Sequence, residues 1–149
     1  MITQRALVLI KPEGIQKSIV GDVINQFTQS EMKLVGLKIV KPSKQLAQKH
    51  YSLLKDKFFY EQIVDYLTGK FHNGYPVVAM VFEGQEAIKR CRDIAGATNP
   101  EEALPKSIRG KYGRITTNGL FENIVHVSSD NSQARREVKL WFKSKELLK

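Results

Sequence analysis

His126 stands in the segment Asn123-Ile124-Val125-His126-Val127-Ser128-Ser129-Asp130, an apolar stretch that turns polar just before a helical pattern begins. An imidazole near the end of a strand is well placed to face a cleft and do chemistry there. Alone it says little, since a strand histidine is more often structural. The pattern that follows adds a second group. Ala134, Val138 and Trp141 recur at i, i+4 and i+7 and make an inward helical face. Glu137 falls on that same face. A carboxylate there needs a partner, because burying an unpaired charge is costly, and the preceding strand offers His126. A carboxylate bonded to one ring nitrogen fixes the tautomer and leaves the other nitrogen as a nucleophile. The bland alternative has Glu137 reaching solvent or pairing with Arg136 or Lys139; the residue pattern leaves both open. Ser128, Ser129, Asp130 and Asn131 are candidates to cap the helix. Ser128 is also placed to donate to the glutamate or to a phosphate oxygen.

A nucleophile of this kind suits phosphoryl transfer if anion-binding groups accompany it. The chain has no G-x-x-x-x-G-K-[ST] loop and no G-x-G-x-x-G after a strand, so any phosphate must be held by side chains. Lys11 at the end of the first strand, Arg92 in a helix and Arg109 in a long loop are candidates. Arginine suits bidentate phosphate contacts, and Thr98 and Asn123 could add hydrogen bonds. Each taken singly reads as an ordinary surface residue; their occurrence together with a nucleophile is what points to a site. The formal net charge of +9, from 24 Lys+Arg against 15 Asp+Glu, favours polyanionic partners without choosing among nucleotides, nucleic acid and anionic surfaces.

The elements that must position these groups are legible in outline. Ala6-Leu7-Val8-Leu9-Ile10 is a continuous apolar run and reads as a buried strand, broken by Lys11-Pro12-Glu13-Gly14. Val20, Val23, Ile24 and Phe27 repeat at helical spacing, with Ser18 near the N-cap. Leu34 to Val40 is a second strand. Ser43 can cap a helix carrying Leu46, Ala47, His50 and Leu54, and Tyr60, Ile63, Val64 and Leu67 mark another. Val77 to Phe82 is a third strand, followed by a helix with Ala87, Ile88, Cys91 and Ile94. Residues 96–122 hold no period and read as a long functional loop. Ile124 to Val127 is a fourth strand, and a final helix runs from about Asn131 to Phe142. At 149 residues the chain reads as one domain over 1–149, a sheet with helices packed on it. No run approaches the roughly 20 apolar residues of a membrane span. The single cysteine, Cys91, reads as core and fits a reducing compartment, so a cytoplasmic location is expected.

Four stretches, in this order, resemble the nucleoside diphosphate kinase family across almost the whole length. Leu9-Ile10-Lys11-Pro12-Glu13-Gly14 is similar to its I-K-P-D-[AG] segment. His50-Tyr51 through Leu54-Lys55-Asp56-Lys57-Phe58-Phe59 is similar to H-Y-x-x-L-K-x-[RK]-P-F-[FY]. Pro76 to Gly84, continuing to Gly96-Ala97-Thr98-Asn99-Pro100, is similar to G-P-V-x-A-M-V-x-E-G and G-x-T-[ND]-P. Ser107-Ile108-Arg109-Gly110 and Asn123-Ile124-Val125-His126 are similar to T-I-R-G and N-x-x-H. The resemblance implies a ferredoxin-like α+β fold, a four-stranded antiparallel sheet with helices packed on it. It implies a ping-pong reaction in which a nucleoside triphosphate phosphorylates His126 and the phosphohistidine then phosphorylates a nucleoside diphosphate. Glu137 would orient the histidine. Lys11, Tyr51, Arg92, Thr98, Arg109 and Asn123 would contact phosphates, ribose or the histidine. Phe59 would stack on the base, Ile63 would cover it, and Ser128 would bond Glu137. Mg2+ is implied as cofactor, held mainly by the nucleotide's phosphates. A homo-oligomer, hexamer or tetramer, is implied as the assembly.

The sequence departs from the family's pattern in places. H-G-S-D-S reads here His126-Val127-Ser128-Ser129-Asp130, with Val127 in place of a small residue and the aspartate displaced by one. Phe58 replaces a proline, and Glu13 an aspartate. Two segments are longer than usual, at Lys70 to Tyr75 and Lys111 to Leu120. Two rival readings compete with the enzyme. One is a nucleic-acid-binding module on the same ferredoxin-like topology, supported by the charge and by a faint RNA-recognition echo at Lys111-Tyr112-Gly113 that fails at Arg114-Ile115. Such a module would have no need for Lys11, Arg92, Arg109 and His126 together. The other is a catalytically silent scaffold, supported only by Val127.

Overall fold

A computed structural model describes residues 2–149. Its centre is β1 (Thr3–Ile10), in which Ala6 through Ile10 are all fully buried. Burial on both faces explains why that strand is a continuous apolar run rather than an alternation. The period of two still sorts its side chains. Ala6, Val8 and Ile10 enter one core; Leu7 and Leu9 enter another on the opposite face. After β1 come α1 (Pro12–Gln16), α2 (Val20–Thr28), β2 (Lys33–Val40), α3 (Lys44–His50), a short 3-10 turn and α4 (Tyr60–Leu67). The chain continues through β3 (Val77–Gln85) and α5 (Ala87–Ala95). The sheet is closed by β6 (Val125–Val127), before α7 (Asn131–Trp141). Strand order is β2-β3-β1-β6 and every neighbouring pair is antiparallel. This is the expected ferredoxin-like sheet, with α2 and α5 contributing to one core and α3, α4 and most of the inward face of α7 to the other.

Residues 96–122, expected as loop throughout, carry more structure than that. They include α6 (Ile108–Tyr112) and a hairpin of β4 (Arg114–Ile115) and β5 (Phe121–Glu122). Arg109 therefore lies on a helix and not in a loop. Both elements are too short to show a hydrophobic period, and α6 is held instead by a cap: Ser107 Oγ accepts from Gly110 N at 3.1 Å. At α2 the N-cap position is Ile19, not Ser18, whose φ is 59°. At α7 the cap is Asp130, whose Oδ1 accepts from Gln133 N at 2.8 Å. The aspartate displaced by one in the sequence thus sits where the helix can use it.

Candidate active site

Register places the histidine. His126 on β6 pairs with Leu9 on β1, so its side chain emerges on the Leu9 face, toward α3 and α7. Glu137 lies on the inward stripe of α7 and is 4% exposed. The two meet: His126 Nε2 is 3.0 Å from Glu137 Oε1. Ser128 Oγ donates to the same oxygen at 2.7 Å, and itself accepts from Leu7 N at 3.1 Å. Ser128 is therefore fixed by the central strand before it fixes the glutamate. Burial works against the Glu137 charge. The His126 ring, the Ser128 hydroxyl and the nearby Arg136 outweigh it and hold the carboxyl below its ordinary range. Glu137 is then an acceptor only, so the proton between the pair belongs on His126 Nε2 and the lone pair on Nδ1.

A third ring stands beside this pair. His50 at the end of α3 is edge-on to His126, with centroids 4.4 Å apart at 80°. One ligand-capable atom from each of His50, His126 and Glu137 lies within 4.8 Å of the other two, a set that could hold a metal by residue type. The partner of His50 weighs against that use. Trp141 Nε1 donates to His50 Nδ1 at 3.0 Å, which leaves the ring proton on Nε2, the nitrogen a metal would need. Ligating imidazoles ordinarily donate from their far nitrogen rather than accept there. Burial, then the charges of His126, Arg136 and Lys11, push His50 well below the usual imidazole range and keep it neutral.

Lys11 follows β1 directly and is buried, its Nζ 4.7 Å from the centroid of the Tyr66 ring. Burial lowers its pKa from 10.5 to about 8, against the pull of Glu13 and Glu122 and with Arg109 adding to the fall. Glu13 is itself buried and accepts from the Tyr66 hydroxyl and, at 3.1 Å, from Ile124 N. The Ile124 carbonyl in turn accepts from Lys11 N at 2.8 Å. Ile124 has φ +73°, a conformation that costs a β-branched residue about 1–3 kcal/mol. Its carbonyl bond from the Lys11 N–H and its N–H bond to the Glu13 carboxylate hold it there. Gly14 completes that corner, since a Cβ would stand 2.6 Å from Ile10 Cγ2.

Arg109 spans the mouth from α6. Its two terminal nitrogens donate to the carbonyls of Gly96 and Val125, each at 2.8 Å, and Nε is buried without a partner. Burial and the neighbouring Arg92 lower its pKa to about 10. Arg92 on α5 and Thr98 are exposed. Asn123 Nδ2 donates to the Thr98 carbonyl at 2.9 Å, while its Oδ1 is buried and unpartnered. Tyr51 packs edge-on against His50 at 4.7 Å, and its hydroxyl is pushed up by burial and by Glu13 and Glu137. Lys11 feels the charge of Arg109, Arg92 stands beside Arg109, and Arg109 reaches the Val125 carbonyl next to His126, with several polar atoms unspent.

A family model described as nucleoside diphosphate kinase matches residues 4–147. The chain belongs to the nucleoside diphosphate kinase family. A nucleoside diphosphate kinase of Pyrococcus furiosus is 39% identical over 97% of this chain and 86% of its own length. One of Carboxydothermus hydrogenoformans is 41% identical, with coverages of 97% and 91%. Among solved structures, the Borrelia burgdorferi nucleoside-diphosphate kinase with bound vanadate and ADP superposes with a TM-score of 0.90 at 29% identity. That match covers 100% of this chain and 92% of the other. The Halobacterium salinarum enzyme in complex with CDP gives 0.89 at 34% identity, covering 99% and 93%.

Set in that nucleoside diphosphate kinase frame, Phe59 and Ile63 stand apart from the histidine. Phe59 is the N-cap of α4, half-buried, and packs edge-on against the fully exposed Phe58 at 5.3 Å. The structure brings together His126, Glu137 and Ser128 by hydrogen bonds, and Asn123 with the Thr98 backbone. Phe59 and Ile63 lie at the start of α4, with no hydrogen bond or ring contact to His126. Val127, the unusual neighbour of His126, points into the opposite core, 5% exposed, where Val8 is its strand partner. Its bulk is therefore absorbed away from the imidazole. Sequence reading gave no part in the site to Glu13, Tyr66, His50 and Trp141. Glu13 and His50 lie inside quoted motifs, so a signal was present. Trp141 was visible only as a helical core position, and Tyr66 fell in no pattern that marked it.

Proposed function

We propose that this protein performs the family's phosphoryl transfer in two halves through a phosphohistidine at His126. The observation that carries it is the Glu137 Oε1–His126 Nε2 contact at 3.0 Å with Ser128 behind it. Nδ1 attacks the γ-phosphorus of a nucleoside triphosphate; the N–P bond forms, and the P–O bond breaks with its electron pair leaving on the β-phosphate of the diphosphate. The imidazolium charge that develops is balanced by Glu137. In the return half a diphosphate oxygen attacks the phosphorus and the electron pair returns to Nδ1. Lys11, Arg92 and Arg109 supply the positive field, and Tyr51, Thr98 and Asn123 supply polar contacts. Phe59 stacks on the base with Ile63 beside it. Stacking does not read base edges, so weak base preference is expected.

Magnesium fits as a companion of the nucleotide. The carboxylates nearest the imidazole and Lys11, Glu137, Glu13 and Glu122, already accept hydrogen bonds from protein donors. A strongly hydrated cation that sheds water reluctantly would then be held by the nucleotide's phosphate oxygens rather than by these carboxylates, and would supply neutralisation of the phosphate charge. The assembly is a homo-oligomer, tetramer or hexamer. The supporting feature is β2, an edge strand with Leu37 52% and Ile39 73% exposed. No helix among the described residues is long and apolar enough to cross a membrane, and the buried free thiol of Cys91 suits the reducing cytoplasm.

The deciding experiment is incubation with γ-labelled ATP and magnesium, followed by a chase with GDP. An acid-labile, base-stable label that moves to GDP is expected, and His126→Ala should take up none while keeping its circular dichroism. Full labelling of that variant would remove His126 from the reaction.

A further inference from the structure

The stretch Lys70 to Tyr75 meets the end of the β4–β5 hairpin. His72, in the stretch Lys70 to Tyr75, is 5% exposed, and its Nε2 is 2.7 Å from Glu122 Oε1. Glu122 ends the hairpin that contains the other long stretch and is 4% exposed. From the solvent side Arg114 Nε donates to Glu122 Oε2 at 2.5 Å. The buried pair does not stop at the loops. The His72 ring packs at 5.1 Å against Tyr66. Tyr66 donates its hydroxyl to Glu13 and carries the Lys11 ammonium at 4.7 Å from its ring centroid. No hydrogen bond ties that ammonium to the described residues, and the Tyr66 ring is the aromatic face it lies over.

We propose that His72 and Glu122 are positioning residues for Lys11: the pair clasps the two long segments and, through the Tyr66 ring, fixes where the lysine meets the nucleotide's phosphates. The inference rests on the assignment of Lys11 to those phosphates. Two consequences separate it from a plain loop clasp. Mechanical support predicts weaker nucleotide binding when the pair is broken. Electrostatics adds a signed effect, since Glu122 also helps Glu13 to sustain the buried ammonium, while Arg109 and burial oppose it. The other charged or titratable groups around the lysine are Tyr66 from α4 and His50 from α3, the latter held neutral.

The test is steady-state kinetics with ATP and GDP from pH 6.5 to 9.5 on the full chain, alongside the phosphohistidine label. Glu122→Gln should raise KM about threefold or more with kcat changed less than about twofold, a loss of uniform binding. It should also move the alkaline limb of kcat/KM to lower pH by about half a unit, because a negative charge near the ammonium is gone. His72→Phe keeps a ring against Tyr66 and the Glu122 charge, so it should leave the limb in place. Arg114→Gln removes the solvent-side partner of Glu122 while His72 still holds the other oxygen, and should move the limb to higher pH. It decides the matter if Glu122→Gln fails to fold. Unmoved KM and limb in folded variants, even with a lower melting temperature, would reduce the pair to a clasp and overturn the proposal. A parent that takes no label would instead overturn the phosphotransfer itself.

Discussion

At Lys11, burial and charge pull in opposite directions, and the consequence is a pH effect with a definite sign. Its pKa falls from 10.5 to about 8 on folding. Below about pH 8 both states carry the proton, and the folded protein bears the whole cost of the buried charge. Between about 8 and 10.5 the unfolded chain keeps a proton that the folded one has lost, so this group's contribution to stability rises with pH. Urea midpoints at pH 7.5 and 9.5 should therefore show the protein gaining on Lys11→Met as pH rises; a constant gap between them would mean the lysine is not desolvated. Glu137 works differently, through direction rather than charge cost. Glu137→Gln keeps the shape but lets the amide donate as well as accept, so the imidazole loses its fixed tautomer. Carboxylates that orient a metal-ligating imidazole are worth about 10–100-fold, and an effect of the same order is expected for this one. Single-turnover labelling of His126 should slow by that order, and an unchanged rate would show that Ser128 and packing suffice.

The elements differ in how plainly residue patterns announce them. β1 is legible because five consecutive buried residues require apolar side chains on both faces. α7 is legible because Ala134, Val138 and Trp141 make an inward stripe that also carries Glu137; which partner Glu137 takes was not legible there, and the contact with His126 settles it. Within residues 96–122 the same method fails. α6 has five residues and β4 and β5 two each, too few for either period, and a Ser107 cap was the only local sign of a helix start. The His72–Glu122 contact was invisible for a further reason: its partners are 50 residues apart and neither sits in a repeating pattern. The α3–α4 corner carries a prediction of its own. Phe59, half-buried at the start of α4, is the residue proposed to stack on the base. Phe59→Ala should raise KM about tenfold for adenine, guanine and pyrimidine nucleotides alike, within the ~1–3 kcal/mol a base–aromatic stack contributes. A change confined to one base would point to a specific contact elsewhere.

For the whole molecule, the sheet has one strand edge at β6, beside the reactive imidazole, and another at β2. The β2 edge presents Leu37 and Ile39 to solvent on a strand long enough to pair. An exposed apolar edge is a pairing surface unless something covers it. Ile39→Asp should lower the mass seen by light scattering on a sizing column toward one chain, 17.0 kDa. An unaltered mass would place the subunit contact elsewhere.

The joining of His72 to Glu122 also constrains how this protein can be altered or recombined. Glu122 is buried, so a chimera that keeps its hairpin but takes a shorter α4–β3 connection strands a carboxylate in the interior. The reverse graft strands an imidazole against Tyr66. Either half-exchange should express poorly, while transplanting both segments together should be tolerated. The two segments behave as one unit, separated in the chain and joined through a buried contact.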